Sequence, residues 1–169
     1  MSHNSRDNGD MRIEVDDFKR SPVRALLAEH MTNMHELTPA ESVHALDIEE
    51  LRAPDVTFWT VWSDEELLGC GALKELSRHH GEIKSMRTPA SKRRRGAGRV
   101  ILTHIIQEAS VRGYERLSLE TGPAETFGAA HRLYEDYGFQ ICGPFGAYTE
   151  DPYSVFMTMV LSDALEARV

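Results

Sequence analysis

The sequence contains few cysteines, no long apolar run and no excess of basic residues. Its two cysteines, Cys70 and Cys142, lie far apart without a metal-binding spacing, which fits a protein of the reducing cytosol. No stretch has the length of a transmembrane helix, and residues 1–10 lack the apolar segment of a secretory signal. We therefore expect a cytoplasmic protein without a membrane partner, whose residues 1–10 form a disordered tail.

The charge balance limits the kinds of molecule that we expect this protein to bind. The 169 residues include 27 Asp and Glu against 19 Lys and Arg, which gives a formal net charge of −8. General nucleic-acid binding usually shows as a basic excess, so we expect no nucleic-acid partner. The acidic balance is compatible with a cationic substrate such as an amine. The length suffices to bury a core, and we predict one domain over residues 11–169.

Hydrophobic periodicity in the first half predicts strands and helices together. Residues 11–15 alternate as a short strand, and helical spacing runs from Ser21 to about residue 36. A second helix is predicted from Pro39 to about Leu51, because Thr38 can cap it and Glu41 completes a capping box. The runs VTFWTVW and ELLGCGALKEL predict a hairpin around residues 63–65, and EIKSMR predicts a third strand.

The second half alternates between the two kinds of element. A helix of roughly sixteen residues ends near Gly113, and its predicted core face contains Ile101, Leu102, Ile105, Ile106 and Ala109. RLSLET predicts a strand, ETFGAAHRLYEDY an amphipathic helix closed by Gly138, and YSVFMTMVL a closing strand. No internal repeat or linker interrupts this pattern.

The densest positive cluster lies directly before a glycine turn that opens a helix, in SKRRRGAGRVILTHIIQEA. A helix start leaves backbone N–H groups unpaired, and glycine lets the backbone approach an anion closely. The turn lacks the Lys-Ser/Thr pair of a P-loop, since Arg99 and Val100 follow Gly98. It also lacks the third glycine of a dinucleotide fingerprint, because that position is Ile101.

Three features together resemble the GCN5-related N-acetyltransferases, the GNAT superfamily. Residues 93–98 (RRRGAG) fit the pattern Arg/Gln-x-x-Gly-x-Gly/Ala, and Glu82 on the preceding predicted strand lies eleven residues before Arg93. Residues 130–139 (AHRLYEDYGF) fit the family's later helix, Ala-x-x-Leu-Tyr-x-x-x-Gly-Phe. The resemblance covers residues 58–161. It implies an α/β (α+β) GNAT fold, a mixed and mostly antiparallel sheet of six or seven strands flanked by about four helices.

The resemblance also implies that acetyl-CoA binds at this turn as the acetyl donor, with no metal. Main-chain N–H groups from Arg94 to Arg99 would hold the pyrophosphate, and the arginine side chains would add positive charge. A backbone N–H around residues 86–88 would hold the thioester carbonyl. Phe127 replaces the asparagine of many relatives and would pack against the cofactor or the core. The implied cofactor-binding residues are Met86, Arg87, Thr88, Arg93, Arg94, Arg95, Gly96, Ala97, Gly98, Arg99 and Phe127.

The same resemblance implies the catalytic groups. Glu82 is the first candidate for the general base, and Glu75 is the second. The alternative for Glu82 is a structural ion pair with Lys74 or Lys84. Tyr134 would protonate the departing thiolate; its alternative is a surface tyrosine.

The function implied is direct acetyl transfer to a primary amine of a small-molecule or amino-acid-like acceptor. The alternatives are acetylation of a protein N-terminus or lysine, and a non-catalytic acyl-CoA-binding module. In relatives the first two helices form the acceptor wall, which makes Ser42, His44 and Asp47 candidates for substrate contact. Homodimers are frequent in the superfamily, and YSVFMTMVL is a candidate edge or interface strand.

Overall fold

A seven-stranded sheet forms the centre of the computed structural model, which describes residues 10–43, 47–93 and 95–161. Four helices accompany it in these ranges: α1 (Ser21–Leu37), α2 (Ile48–Leu51), α3 (Ala97–Val111) and α4 (Ala124–Asp136). The strands are β1 (Met11–Val15), β2 (Val56–Ser63), β3 (Glu66–Ser77), β4 (His80–Arg87), β5 (Arg116–Thr121), β6 (Gln140–Cys142) and β7 (Val155–Val160). The predicted fold class and the predicted numbers of strands and helices are confirmed.

The strand order is β1-β2-β3-β4-β5-β7-β6, and only the pairing of β4 with β5 is parallel. A parallel pair needs a crossover, which α3 supplies. The closing strand β7 lies between β5 and β6, so the prediction of an edge strand in YSVFMTMVL is wrong. The three residues of β6 occupy that edge instead, because the segment after Phe139 folds back beside β7.

The central strands are buried on both faces, which is why their sequences read as nearly continuous apolar runs. On one face, Trp59 and Val61 of β2 join a core with α3 and α4. On the other face, Phe58 and Trp62 pack with α1 and α2, and Cys70 lies in this second core. The predicted core face of α3 is confirmed, with all five residues buried: Ile101, Leu102, Ile105, Ile106 and Ala109.

The prediction of one helix from Pro39 to Leu51 is wrong. The chain forms a 3-10 turn at Ala40–Ser42 and then the short helix α2, whose capping box uses Asp47 and Glu50. Thr38 has extended dihedrals and ends α1 rather than starting a helix. This segment contains two capping patterns, one at Thr38 and one at Asp47. The helix begins at the second, where Leu51 packs into the core that contains Phe58 and Trp62.

Candidate active site

The sheet forks where its two parallel strands separate. Pairing between β4 and β5 runs from His80↔Arg116 to Ile83↔Leu119 and stops there. On its other side β4 carries a bulge against β3, since the register shifts between Cys70 and Ala72. Ser85, within the bulge, has a left-handed φ of 53°. The last residues of β4 therefore separate from β5.

A cleft occupies this fork and encloses about 720 Å³, including space open to solvent. Its walls come from α1 and the segment after it, from β4, β5 and α4, and from the β6–β7 loop. The cleft brings together five of the residues that the sequence singled out, which are Ser42, Glu82, Met86, Phe127 and Tyr134.

The glycine turn lies at the N-terminus of α3, as the sequence predicted. Gly96 has a φ of 89°, a left-handed conformation that favours glycine, and it caps the helix. The first helical hydrogen bond runs from Val100 N to Gly96 O, so the N–H groups of Ala97 and Gly98 precede it. A Cβ on Gly98 would approach only Leu133 Cδ2, at 3.4 Å. This backbone can thus present N–H donors to an anion.

The basic side chains of the turn are largely paired with carboxylates. Lys92 and Arg95 both bind Glu66, the latter at 3.0 Å between Nη1 and Oε2. The Arg99 guanidinium binds Asp136 at 2.7 Å. The Arg93 side chain is exposed, and Arg94 lies outside the described residues. An anion at the turn would therefore be bound mainly by backbone N–H donors. The positive charge of the surrounding side chains is partly neutralised by Glu66 and Asp136.

Tyr134 of α4 faces the last part of β4. Its side chain is buried, and its hydroxyl donates to Met86 Sδ over 3.9 Å, the length of a weak contact to sulfur. Burial raises the pKa of Tyr134 to about 12, so the phenol keeps its proton at neutral pH. The alternative of a surface tyrosine is therefore wrong. A protonated hydroxyl in a dry position is suited to donate a proton.

Glu82 lies on the opposite wall, within a buried polar group. The Tyr148 hydroxyl donates to Glu82 Oε2 at 2.5 Å, and Lys84 Nζ lies 3.3 Å from the same oxygen. Lys84 Nζ also donates to the Tyr148 oxygen at 2.8 Å. The expected ion pair with Lys84 is thus present, along the strand rather than across strands. It does not remove Glu82 from the cleft, whose wall this polar group forms.

A second carboxylate, Glu120 on β5, lines the same cleft. Burial raises the pKa of Glu120 to about 7. The sequence analysis missed Glu120 and Tyr148. Their positions depend on the parallel pairing of β4 with β5 and on the course of the β6–β7 loop, and neither leaves a local signal in the sequence.

The side chains at the end of β4 contact different parts of the structure. The Arg87 guanidinium binds Glu29 Oε1 at 3.2 Å and donates to His30 Nδ1 at 3.4 Å, which ties β4 to α1. Only the Arg87 backbone therefore remains for a cofactor. Thr88 Oγ1 lies 3.7 Å from the place a Cβ on Gly69 would take. His30 lines the cleft, and its pKa is lowered to about 4 because burial disfavours the imidazolium.

Several candidates do not meet in the cleft. Glu75 is exposed and accepts a hydrogen bond from the Tyr114 hydroxyl at 2.8 Å, and it is not among the lining residues. Ser42 is buried and lines the cleft, whereas Asp47 caps α2. His44 lies outside the described residues.

Within residues 10–43, 47–93 and 95–161, no helix is long and apolar enough to cross a membrane. The same part of the chain contains no group of three or more His, Cys, Asp or Glu side chains placed to hold a metal ion.

Residues 22–139 match the model of the acetyltransferase (GNAT) family. The chain is 56% identical to the uncharacterized N-acetyltransferase YsnE of Bacillus subtilis, over 89% of this chain and 100% of YsnE. It is 49% identical to the uncharacterized N-acetyltransferase YedL of Escherichia coli, over 89% of this chain and 95% of YedL. It is also 38% identical to an IAA acetyltransferase of Azospirillum brasilense, over 78% and 86% of the two chains.

Solved structures share the fold. A Klebsiella pneumoniae protein assigned as an acyl-CoA N-acyltransferase superposes with a TM-score of 0.70 at 26% identity, covering 89% of this chain and 97% of that one. An aminoglycoside 6'-N-acetyltransferase in complex with coenzyme A superposes with a TM-score of 0.66 at 17% identity, covering 89% and 97%.

Proposed function

Because the chain belongs to the acetyltransferase (GNAT) family and is an N-acetyltransferase, we propose that it transfers the acetyl group of acetyl-CoA directly to a primary amine. The acceptor in this proposal is a small molecule or an amino-acid-like compound. The observation that carries the proposal is the cleft at the β4–β5 fork, which is lined by a buried protonated phenol, Tyr134, and by the carboxylates of Glu82 and Glu120.

The proposed donor site is the turn before α3. The backbone N–H groups of Ala97 and Gly98 would hold the pyrophosphate at the positive end of the helix dipole. The backbone of residues 86–88 would hold the thioester carbonyl. These residues lie beyond the last pair of β4 with β5, so their N–H groups can donate to a developing oxyanion. The fold neighbour solved with coenzyme A supports this choice of donor.

Two proton transfers remain, and we assign a side chain of the cleft to each. An alkyl ammonium has a pKa of about 10.4, so a carboxylate of the cleft must accept a proton before the nitrogen can attack. Glu82 is the carboxylate that the family resemblance suggests. Tyr134 would give its proton to the departing thiolate, and its raised pKa keeps that proton available.

The acceptor proposal rests on the walls of the cleft. Side chains of His30 and Met34 from α1 and of Tyr153 from the β6–β7 loop close around it, which suits a compact molecule better than an extended peptide. The IAA acetyltransferase and the aminoglycoside acetyltransferase among the similar proteins also carry names of small molecules.

Calorimetric titration of the wild-type protein with acetyl-CoA, free CoA and ATP tests the donor. We expect saturable binding of the two CoA species only. Gly98→Leu should weaken it by about tenfold or more, since the new side chain would fill space beside the first-turn amides. Gly98→Ala is the matched control for folding, because its Cβ would meet only Leu133 Cδ2.

Equal affinity in wild type and Gly98→Leu would remove the turn as the donor site. An acceptor screen then compares small amines and amino acids with peptides, by following thiol release from acetyl-CoA. Turnover with peptides alone would favour a protein acetyltransferase. Binding of acetyl-CoA without turnover on any acceptor would favour a non-catalytic module.

A further inference from the structure

The two carboxylates in the cleft have opposite surroundings, and the difference assigns them different roles. We propose that Glu120, rather than Glu82, takes the proton from the acceptor ammonium, because hydrogen bonds from Tyr148 and Lys84 already occupy Glu82. This inference rests on the proposed acetyl transfer and names the residue that performs its first step.

The Glu82 side chain is engaged by two donors. Its Oε2 accepts from the Tyr148 hydroxyl at 2.5 Å and lies 3.3 Å from Lys84 Nζ, and its side chain is 3% exposed. Burial and the adjacent Glu82 raise the pKa of Tyr148, so this hydroxyl stays protonated and keeps donating. Oε2 is therefore occupied by two donors, whereas a general base needs an oxygen that can approach the acceptor nitrogen.

Glu120 forms no ion pair with any described residue. It lies on β5, the strand next to β4 in the sheet. It follows Leu119, the last β5 residue paired with β4, so its side chain enters the cleft where the strands separate. Alternation along the strands places Glu120 on the same sheet face as Glu82 and Lys84. A carboxylate at this fork can reach an amine that is directed at the end of β4.

The charged groups around Glu120 come from β4 and from the β6–β7 loop. Burial is the largest influence and raises its pKa, and the negative charges of Glu82 and Asp151 act in the same direction. Lys84 and the Ser154 side chain act in the opposite direction. The resulting pKa of about 7 lies close to working pH, where a general base is most effective.

The proton balance of the reaction follows from these roles. Glu120 accepts one proton from the ammonium and leaves a neutral amine, whose lone pair forms the new C–N bond as the C–S bond breaks. Tyr134 gives its proton to the sulfur and regains one from the nitrogen through solvent, and Glu120 returns its proton to solvent. One ammonium and one thioester thus yield one amide, one thiol and one proton.

The test compares three variants, Glu120→Gln, Glu82→Gln and the matched control Glu75→Gln, whose side chain lies outside the cleft. The kcat/KM for the best amine of the acceptor screen is measured from about pH 5 to about pH 9. Wild type and Glu75→Gln should lose activity as the pH falls through about 7, because the base becomes protonated. Glu120→Gln should lose that acid limb and about 10²- to 10⁴-fold in kcat/KM.

Glu82→Gln should give the opposite signature. It should keep an acid limb, shifted to lower pH, because removal of a neighbouring negative charge lowers the pKa of Glu120. An acid limb and a rate in Glu120→Gln within about threefold of wild type would overturn the proposal, as would complete loss of the limb in Glu82→Gln. Glu120→Asp, which retains a carboxylate, should restore part of the limb and guards against a variant that fails to fold.

A second readout is independent of activity. A ¹³C NMR titration of free protein labelled at the glutamate carboxyl carbons should show one resonance with a pKa of about 7 that is absent from Glu120→Gln and moves to lower pH in Glu82→Gln. An ordinary pKa near 4.3 for Glu120 would overturn the inference even if the wild type is active. Absence of transfer by the wild type to any amine or peptide would instead overturn the proposed function, while the titration still decides the environment of Glu120.

Discussion

The ring of Phe127 fills the space where a side chain on Gly122 would begin. A Cβ placed on Gly122 would lie 2.2 Å from both Cδ2 and Cε2 of Phe127. Phe127 has non-helical dihedrals inside α4, with φ −113° and ψ 25°, and it lines the cleft. The Phe127 ring therefore packs directly on the Gly122 backbone. This contact holds the connection between β5 and α4, the helix that carries Tyr134.

Gly122→Ala should destabilise the protein by about 1–3 kcal/mol, because the new methyl group must displace the Phe127 ring. Urea unfolding followed by circular dichroism measures the change. Gly128→Ala, in α4 next to Phe127, is the matched control. Its Cβ would meet only Arg132 Nη1 at 3.4 Å, and we expect a gain of about 0.5–1 kcal/mol there. Equal effects of the two substitutions would show that the Phe127 contact does not matter.

Tyr134→Phe should lower kcat by about 10²- to 10⁴-fold, the usual contribution of general acid catalysis, and leave the Kd for acetyl-CoA nearly unchanged. The reason is that only the hydroxyl, buried near Met86, is removed. Steady-state kinetics and calorimetry measure the two quantities. Since the pKa of Tyr134 is about 12, its titration should cause no loss of wild-type activity below about pH 10.

Tyr137→Phe is the control for the loss of a tyrosine hydroxyl from α4. Its hydroxyl hydrogen-bonds to Thr103 Oγ1 at 2.7 Å and donates to Arg99 O at 3.1 Å, which joins α4 to α3. We expect a stability loss of about 1 kcal/mol and a kcat close to wild type. A wild-type rate in Tyr134→Phe would remove Tyr134 from the mechanism.

His30 should make the protein sensitive to mild acid. Its pKa in the folded state, about 4, lies below the unfolded value near 6.5, so the unfolded chain binds the proton first. The contribution to stability is complete above about pH 6.5 and is lost as the pH falls towards 4, to a total of about 3 kcal/mol. Urea unfolding at several pH values measures it.

His30→Gln should flatten that part of the stability profile, whereas His79→Gln should leave it unchanged, since the His79 side chain is 63% exposed. Parallel profiles for wild type and His30→Gln between about pH 4 and 6.5 would contradict the assignment. Titration of the imidazole by NMR gives the pKa of His30 directly.

The donor half of the site could be predicted from the sequence because its determinants are contiguous. A strand, a glycine that takes up a left-handed φ and a helix that starts at the next residue follow one another within about twenty residues of chain. Their order suffices to place an anion at a helix N-terminus. Tyr134 was found for the same reason, since its neighbours Leu133, Gly138 and Phe139 belong to one short motif.

The other half depended on distant parts of the chain. Glu82 was the first candidate for the base and Glu75 the second, and only the structure shows that Glu75 binds Tyr114 while Glu82 lines the cleft. The capping pattern at Thr38 predicted a helix that the packing of Leu51 does not allow.

The sequence by itself determined the elements of the sheet, the glycine turn and the tyrosine of α4, because each depends on neighbours along the chain. Only the tertiary structure shows that Glu120 and Glu82 line one cleft and that Tyr148 and Lys84 hydrogen-bond to Glu82. The pKa of a buried group is set by the atoms around it, and those atoms come from β4, β5 and a loop separated by tens of residues.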